Sequence, residues 1–573
     1  MPPWPACCII RADHRLPILN SPNPALVTQR AAQRLPRLAL VLFCAAYVLP
    51  GVFGRDPWKN ADITAFGYML NIAEGRSTWL APMVAGLPSD PALLPYWLGA
   101  AFIKLLGPWL GPALAARIPF ALLLALVLVL TWYSTYHLAR TEAAQPVPFA
   151  FGGEANPVDY ARAIADGGLL ALIASLGLLL LGHETTPELA QLASVALFLY
   201  ALSASPFSAW GPRLAVLAAL PALAASGAPS IAAAMGIVGA IVCRQSSYAA
   251  VRRFSLWTGL ATLLGMATAL LLDAWGMRFA AYGSPTRVVT LLKQVAWFTW
   301  PAWPLACWTL WRWRRHLLNR HIAVPLSGAL VALVAWIAVG GHDRVLMLAL
   351  PPLAVLAAFA LPTLQRSTAA AIDWFSVFFF SACALVIWVV YVAMQTGVPQ
   401  QPAANVARRV LGYTASFSLL ALALAAAATV AWLWLVKWRT GRHRDPLWKS
   451  LVLPASGVAL CWLLLMTLWL PLLDYARSYR PLTEAIARHV PPAACISGHT
   501  LPRAQLAALE HYGRYRVDAV NRRADTRCDY LLQLEMHSRP GPPIPGWTLV
   551  ARERRPSDKE EVTAIYRREV GPR

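Results

Sequence analysis

Between Leu38 and Leu473 the chain alternates apolar stretches with short polar breaks, and this feature constrains its fold more than any other. The first seven stretches are Leu38–Phe53, Ala92–Gly107, Ala113–His137, Gly167–Leu181, Leu189–Leu202, Leu214–Cys243 and Phe254–Leu272. Six more follow at Leu291–Trp311, Ile322–Val339, Val345–Leu361, Ala371–Met394, Val410–Val436 and Leu451–Leu473. A helix needs about 20 mostly apolar residues to cross the hydrocarbon of a bilayer. Because every backbone group must be satisfied within the segment, such stretches fold as helices. The expectation is an all-α polytopic membrane protein of thirteen transmembrane helices.

Charge divides the chain further. Only 13% of its 573 residues are charged, against about 25% in an ordinary soluble domain. Residues 38–473 hold 41 charged side chains, whereas the final hundred residues, 474–573, hold 29. Three regions result: a basic, Pro-rich leader over 1–37, expected to be disordered; a membrane domain over 38–473; and a water-soluble domain over 474–573. In the last, Ser478–Val490 and Leu501–Tyr512 read as helices. Ala494–Ser497, Arg516–Val520, Cys528–Leu534, Trp547–Glu553 and Val562–Tyr566 read as strands, giving a small α/β domain.

The net charge of +22 does not point to nucleic acid, because the basic residues are scattered through apolar runs and form no stripe. Most of it reads as topology. With the leader in the cytoplasm and Leu214–Cys243 counted as one crossing, three clusters fall inside: Arg244/Arg252/Arg253, Arg312/Arg314/Arg315/Arg320 and Lys437/Arg439/Arg442/Arg444/Lys449. This parity puts the loops 54–91, 138–166 and 273–290 and the soluble domain on the outer face. It leaves His183-Glu184 on the inner face, where they read as structural. Of the nine cysteines, Cys495 and Cys528 stand alone in the polar tail and are the candidate disulfide of an oxidising compartment.

Chemistry on a polytopic scaffold concentrates in its long loops. The first of these carries Gly54-Arg55-Asp56-Pro57-Trp58-Lys59-Asn60-Ala61-Asp62, followed by Ile63–Glu74 with apolar residues at helical spacing. Asp62 reads as the cap of this interfacial helix, and Asp56 and Asp62 lie beside Arg55 and Lys59. A carboxylate next to cations suits a general base working beside a bound phosphate.

Several collinear motifs extend this reading. The Asp-bearing loop and interfacial helix are followed by Trp79-Leu80-Ala81-Pro82, Gly86, Pro95-Tyr96-Trp97-Leu98-Gly99-Ala100 and Ala115-Ala116-Arg117-Ile118-Pro119. Ala163-Ile164-Ala165-Asp166, Trp300-Pro301-Ala302-Trp303 and Asp343-Arg344 before Leu350-Pro351-Pro352-Leu353 complete the order. In this the chain resembles the GT-C glycosyltransferases, most closely the lipid A aminoarabinose transferases and the protein mannosyltransferases. The resemblance implies a bacterial inner-membrane enzyme with a periplasmic C-terminal domain. It would move a sugar from a polyprenyl-phosphate donor to a lipid A, glycolipid or glycan acceptor by direct displacement with inversion. Asp62 would be the catalytic acid, with Asp56 in reserve, and Asp166 would support the donor sugar or position a divalent cation, the one candidate cofactor. Arg344, Arg278, Tyr282, Lys59, Arg55 and Tyr96 would bind phosphate or sugar. Two departures stand out: Ala61-Asp62 replaces the usual Asp-Glu pair, and Pro91-Ala92-Leu93-Leu94-Pro95 lacks the family's lysine. The competing reading is a transporter or flippase of lipid-linked saccharides, which favours internal repeats and midplane charges. Neither is visible in the sequence.

Overall fold

The computed structural model describes residues 25–147, 153–275, 285–440, 446–521, 526–539, 541–542 and 544–569. From the leader the chain enters α1 (Arg37–Val48), then α2 (Ala61–Ala73), the hairpin β1–β2 (Met83–Val84 and Leu87–Pro88) and α3 (Leu93–Leu110). Next come α4 (Pro112–Ala139), α5 (Pro157–Ala174), α6 (Leu176–Leu181), α7 (Pro187–Ala204), α8 (Trp210–Ala225), α9 (Pro229–Arg244) and α10 (Ala249–Leu271). They are followed by α11 (Pro285–Phe298), α12 (Ala302–Arg312), α13 (Arg320–Ala338), α14 (Asp343–Leu346), α15 (Leu350–Ala358) and α16 (Arg366–Thr396). The membrane domain closes with α17 (Gln400–Arg409), α18 (Leu419–Thr440) and α19 (Lys449–Leu468).

The bundle has two distinguishable ends. At one, the leader packs onto the helices: Leu35 N donates to Asp166, Trp448 Nε1 to Gln33 O, and Leu447 N to Ala31 O. Residues 25–36 are therefore fixed against the bundle, which corrects the expectation of a leader disordered throughout. The other end carries the soluble domain. Thirteen traverses join these ends among the described residues: α1, α4, α5–α6, α7, α8, α9, α10, α11–α12, α13, α14–α15, α16, α18 and α19.

The expected number emerges, but two of its members change. By length and composition α3 ranks among the nine described helices able to span a bilayer. Both its ends nevertheless lie at the tail end. Asp90, just before it, pairs with Arg503 of the soluble domain at 3.0 Å. Lys104, late in the helix, lies over the Trp79 ring, and Arg117, one α4 turn past the next break, donates to Val52 O at the end of α1. α3 thus runs along the membrane surface, packing α2 through Gly99, where a Cβ would collide with Met69 Sδ. Conversely, Leu214–Cys243 is two antiparallel crossings. Gly227, at a φ of +87°, turns α8 into α9 beside Pro91 and Ala92, and a side chain there would be strained whatever the space.

These two differences cancel in the total and in the position of everything after α9, so the first two basic clusters and Lys437, Arg439 and Lys449 of the third lie at the leader end as expected, Arg442 and Arg444 being outside the described residues. Between α3 and α9 they invert the assignment. Within the loop 138–166 the described residues, 138–147 and 153–166, lie at the leader end, and the turn after α6 lies at the tail end.

The tail begins with α20 (Leu470–Arg477), α21 (Arg480–Ile486) and α22 (Arg503–Tyr512). Its strands β3 (Cys495–Ser497), β4 (Arg516–Asp518), β5 (Tyr530–Met536), β6 (Trp547–Glu553) and β7 (Glu561–Arg568) form one mixed sheet in the order β4-β3-β5-β7-β6. Parallel pairing of β3 with β4 and β5 gives way to antiparallel pairing of β7 with β5 and β6. A Cys495–Cys528 disulfide joins the start of β3 to the approach to β5.

Cysteines introduced at Glu142 and at Lys59 will react with a membrane-impermeant maleimide from opposite faces of sealed vesicles. Labelling of both from one face contradicts this topology.

Candidate active site

The site grows from the turn after α1. Asp62 lies one residue inside α2, and its side chain folds back toward the preceding turn instead of capping the helix; the capping position belongs to Asn60. Its Oδ2 accepts from Trp58 N at 3.1 Å and from Arg55 Nη2 at 3.2 Å. Its Oδ1 accepts from Thr185 N at 2.9 Å and from the Thr185 hydroxyl. Four donors occupy the roughly four lone-pair sites of a carboxylate, and both the Asp62 and Arg55 side chains are fully buried. Burial alone pushes this carboxyl up, but the positive charges of Arg55 and Arg117 and the Thr185 hydrogen bonds outweigh it and hold it below the ordinary range.

Arg55 binds the same turn from a second direction, donating to His183 O at 2.9 Å. The His183 ring lies between carbonyls of Leu179 and Tyr47, at 2.7 and 2.9 Å, and burial pushes its pKa down to about 4, leaving it neutral. Trp58, fully buried, is approached by the guanidiniums of Arg55 at 4.6 Å and Arg477 at 5.1 Å. Two arginines remain under-satisfied. Among the described residues, Arg55 Nε and Nη1 and Arg117 Nη2 are buried with no hydrogen-bond partner. Buried donors in folded proteins are nearly always paired, so three orphans beside one carboxylate mark a place suited to an anionic oxygen.

The next shell is Glu184, Arg344 and Glu188. Arg344 Nη2 reaches Glu184 at 2.5 Å and Arg344 Nη1 reaches Thr186 Oγ1 at 3.2 Å, with Glu188 at 3.8 Å. Burial raises the Glu184 carboxyl, Arg344 opposes this, and the Asp62 charge adds to it. Asp343, the sequence neighbour of Arg344, takes Gln294 as its partner instead. Beside that glutamine, Lys293 opens an aromatic groove of about 510 Å³ with Trp297, Trp300, Trp303 and Phe375, which adjoins α6 and faces lipid through the exposed Trp297.

The soluble domain clamps the first loop. Arg480 binds Asp56 through two nitrogens at 2.6 and 2.8 Å, and Ser478 Oγ donates to the same carboxylate at 2.9 Å. Asp474 accepts from Asp56 N and Trp58 Nε1. Glu510 of α22 accepts from Asn71 Nδ2 and Ala85 N, both at 3.0 Å.

Asp62, Arg55 and, in the adjoining shell, Arg344 are therefore brought together in the fold. Asp56 is close but committed to Arg480. Lys59 is half-exposed and pairs with Asp558 at 3.6 Å. Tyr96 stands on α3 against Tyr68, and Arg278 and Tyr282 lie outside the described residues. Asp166 is corrected outright: it sits at the leader end, accepting from Leu35 N and Trp132 Nε1, because α3 does not cross. Thr185, Glu184, Arg117 and Arg477 belong to the site without having been expected there. The signal for the first two was visible, since His183-Glu184-Thr185-Thr186 is a polar run between apolar helices, but the inverted parity placed it on the wrong face. Among the described residues no group of three or more His, Cys, Asp or Glu side chains that could hold a metal ion occurs.

The solved structures add an independent comparison. ArnT from Cupriavidus metallidurans bound to undecaprenyl phosphate superposes with a TM-score of 0.62 at 15% identity, covering 92% of this chain and 98% of that one. The chain has the ArnT fold. The apo form of the same protein gives a TM-score of 0.60 at 15% identity, covering 92% and 97%. Neither a protein-family model nor a curated protein matches the sequence. The ArnT fold carries a small strand-bearing C-terminal domain here, and the orphaned guanidiniums sit where that domain meets the bundle.

Asp56 titrates below the ordinary carboxyl range because the Arg480 and Ser478 hydrogen bonds and the Arg480 charge outweigh its burial. A group depressed in the fold stabilises above its unfolded pKa, and that stabilisation is lost as pH falls through the folded value. Thermal stability should therefore drop on acidification below the usual carboxylate range. In Arg480→Gln, stability at neutral pH should be lower and the acid-dependent drop smaller; an unchanged pH profile contradicts the clamp.

Proposed function

We propose that the protein is a membrane glycosyltransferase using a polyprenyl-phosphate sugar, with its reaction centre at Asp62. The observation that carries this reading is the pair of buried arginines, Arg55 and Arg117, whose unpartnered N–H groups lie beside a buried carboxylate at the end of a lipid-facing bundle. The ArnT fold and the undecaprenyl phosphate in a structure of that protein support a lipid-linked donor. The described basic residues clustered at the leader end, together with a disulfide in the tail, support an extracytoplasmic site. The bacterial inner membrane is the setting that agrees with this.

In this mechanism the donor's phosphate oxygens take the free N–H groups of Arg55 and Arg117, replacing the lysine missing from the first loop. The polyprenyl chain runs along the groove of Trp297, Trp300 and Trp303. An acceptor hydroxyl takes over the position of the Thr185 hydroxyl on Asp62 Oδ1. As its oxygen bonds to C1 of the sugar, its proton passes to Asp62, and the C1–O bond breaks with the electron pair leaving on the polyprenyl phosphate. Attack opposite to the leaving group inverts the anomeric centre. A carboxylate held below the ordinary range stays ionised throughout neutral pH, so it orients the acceptor first and accepts the proton late. Arg344, balanced by Glu184 and Glu188, steadies the turn that presents Thr185. The acceptor falls among lipid A, other glycolipids and glycans of the outer face, and the soluble domain is the part placed to dock it.

Asp62→Asn should lower sugar transfer in membranes supplied with a polyprenyl-phosphate sugar by about 10²- to 10⁴-fold, the usual contribution of a positioned base. Thr185→Val should keep most of the rate. Wild-type turnover in Asp62→Asn sinks the assignment. Asp62→Ala should in addition destabilise the fold by about 3–5 kcal/mol, the typical cost of leaving one member of a buried ion pair alone; a thermal melt checks it.

A further inference from the structure

A second cavity, of about 550 Å³, lies at the leader end, opposite to the Asp62 site, between the leader, α1, α4 and α5. Three guanidiniums border it: Arg34 and Arg37 at the start of α1, and Arg162 on α5. Arg162 has a loose partner in Asp159 at 3.8 Å, while no ion pair to Arg34 or Arg37 occurs among the described residues. The remaining acid, Asp166, is turned inward, with its oxygens on Leu35 N and Trp132 Nε1 at 2.8 Å each. It pins the leader and shapes the cavity floor, and although its charge reaches Arg34 and Arg162, among the described residues it forms an ion pair with neither.

The rest of the lining is apolar and opens sideways. Val41 of α1 and Val129 of α4 both line the cavity, yet are 63% and 50% exposed. On helices that face a bilayer, exposure of such residues means contact with hydrocarbon. The cavity therefore has a basic rim at headgroup depth and an apolar side door at acyl-chain depth. Trp132 and Tyr133 line it between the two, the depth at which aromatic side chains settle in membranes. A free anion would use the rim and waste the door. A zwitterionic lipid would use the door and carry a cation against the rim.

We propose that this cavity binds an anionic phospholipid, with one phosphodiester on Arg34, Arg37 and Arg162 and one acyl chain entering between Val41 and Val129. Basic pockets between helices on the cytoplasmic side suit such headgroups, each arginine adding to the attraction. The site is separate from the aromatic groove of Trp297, Trp300 and Trp303, with which it shares no lining residue. It gives residues 34–37 a purpose: Asp166, itself held by Trp132, fixes Leu35 between two arginines that face the lipid.

The test uses the full chain, purified and delipidated, with unfolding midpoint and native mass spectrometry as readouts. The probes are phosphatidylglycerol, phosphatidylcholine of the same acyl composition, and inorganic phosphate. Phosphatidylglycerol should bind and raise the midpoint, phosphatidylcholine should do so at least tenfold more weakly, and phosphate should do neither. In Arg34→Gln/Arg37→Gln/Arg162→Gln the phosphatidylglycerol affinity should fall by roughly 10- to 100-fold, as expected for three lost headgroup cations. Equal effects of the two lipids, an equal effect of phosphate, or unchanged affinity in the triple variant overturns the proposal. Should the triple variant fail to fold, Val129→Trp decides: it fills the apolar door and keeps all three arginines, so weakened lipid binding supports the site and unchanged binding refutes it.

Discussion

Four donors on one carboxylate hold two separate stretches of chain together. Asp62 takes the guanidinium of Arg55 and the backbone of Trp58 from the loop between α1 and α2, and both polar groups of Thr185 from the turn between α6 and α7. Away from water each of these bonds has no competing partner, so a small rearrangement at Asp62 would strand several polar groups at once. Everything that makes the tail end chemically interesting hangs from this point. Arg55 is fixed by it with two edges still free, the 183–186 turn is fixed by it with Glu184 facing Arg344, and Trp58 is fixed by it as a surface for Arg477.

The soluble domain completes the arrangement from above. Its first polar residues after α19, Asp474, Ser478 and Arg480, all contact the loop of Asp56 and Trp58, and α22 covers α2. The Asp62 site is thus enclosed by the membrane bundle below and by a water-soluble roof. In the proposed function, a lipid-linked donor would approach sideways through the aromatic groove and an acceptor would pass the roof. The proposed use of arginines in place of a lysine fits this enclosure, since a guanidinium presents several fixed donors and stays charged when buried.

Much of this was legible in the residues. The apolar runs pointed to the number of crossings, and the alternation of short polar and apolar elements pointed to the strands and helices of the tail. The cysteine pair was chosen because no other cysteine shared its polar surroundings. The site was half legible: Asp62 and Arg55 stood out as charges in a loop after the first helix. What failed was the path between them and their partners. α3 is as apolar as a spanning helix because it rests on the membrane surface and against α2, and hydropathy does not distinguish lying on a bilayer from crossing it. The Gly227 turn is too short to register as a loop. The surface helix α3 and the extra crossing at Gly227 cancel in the total, so the number of crossings is insensitive to both, and Asp166 and Thr185 exchange sides.

The central claim is that the lipid phosphate of the donor is bound by Arg55 and Arg117 beside Asp62, at the end of the bundle under the soluble domain. A polyprenyl phosphate with a photoreactive group near the phosphate tests this directly, with cross-linked peptides identified by mass spectrometry. Labelling is expected within residues 52–62, 117–121 or 183–186, and should be lost in Arg55→Gln/Arg117→Gln. Labelling confined to the leader end, or unchanged in that double variant, contradicts it.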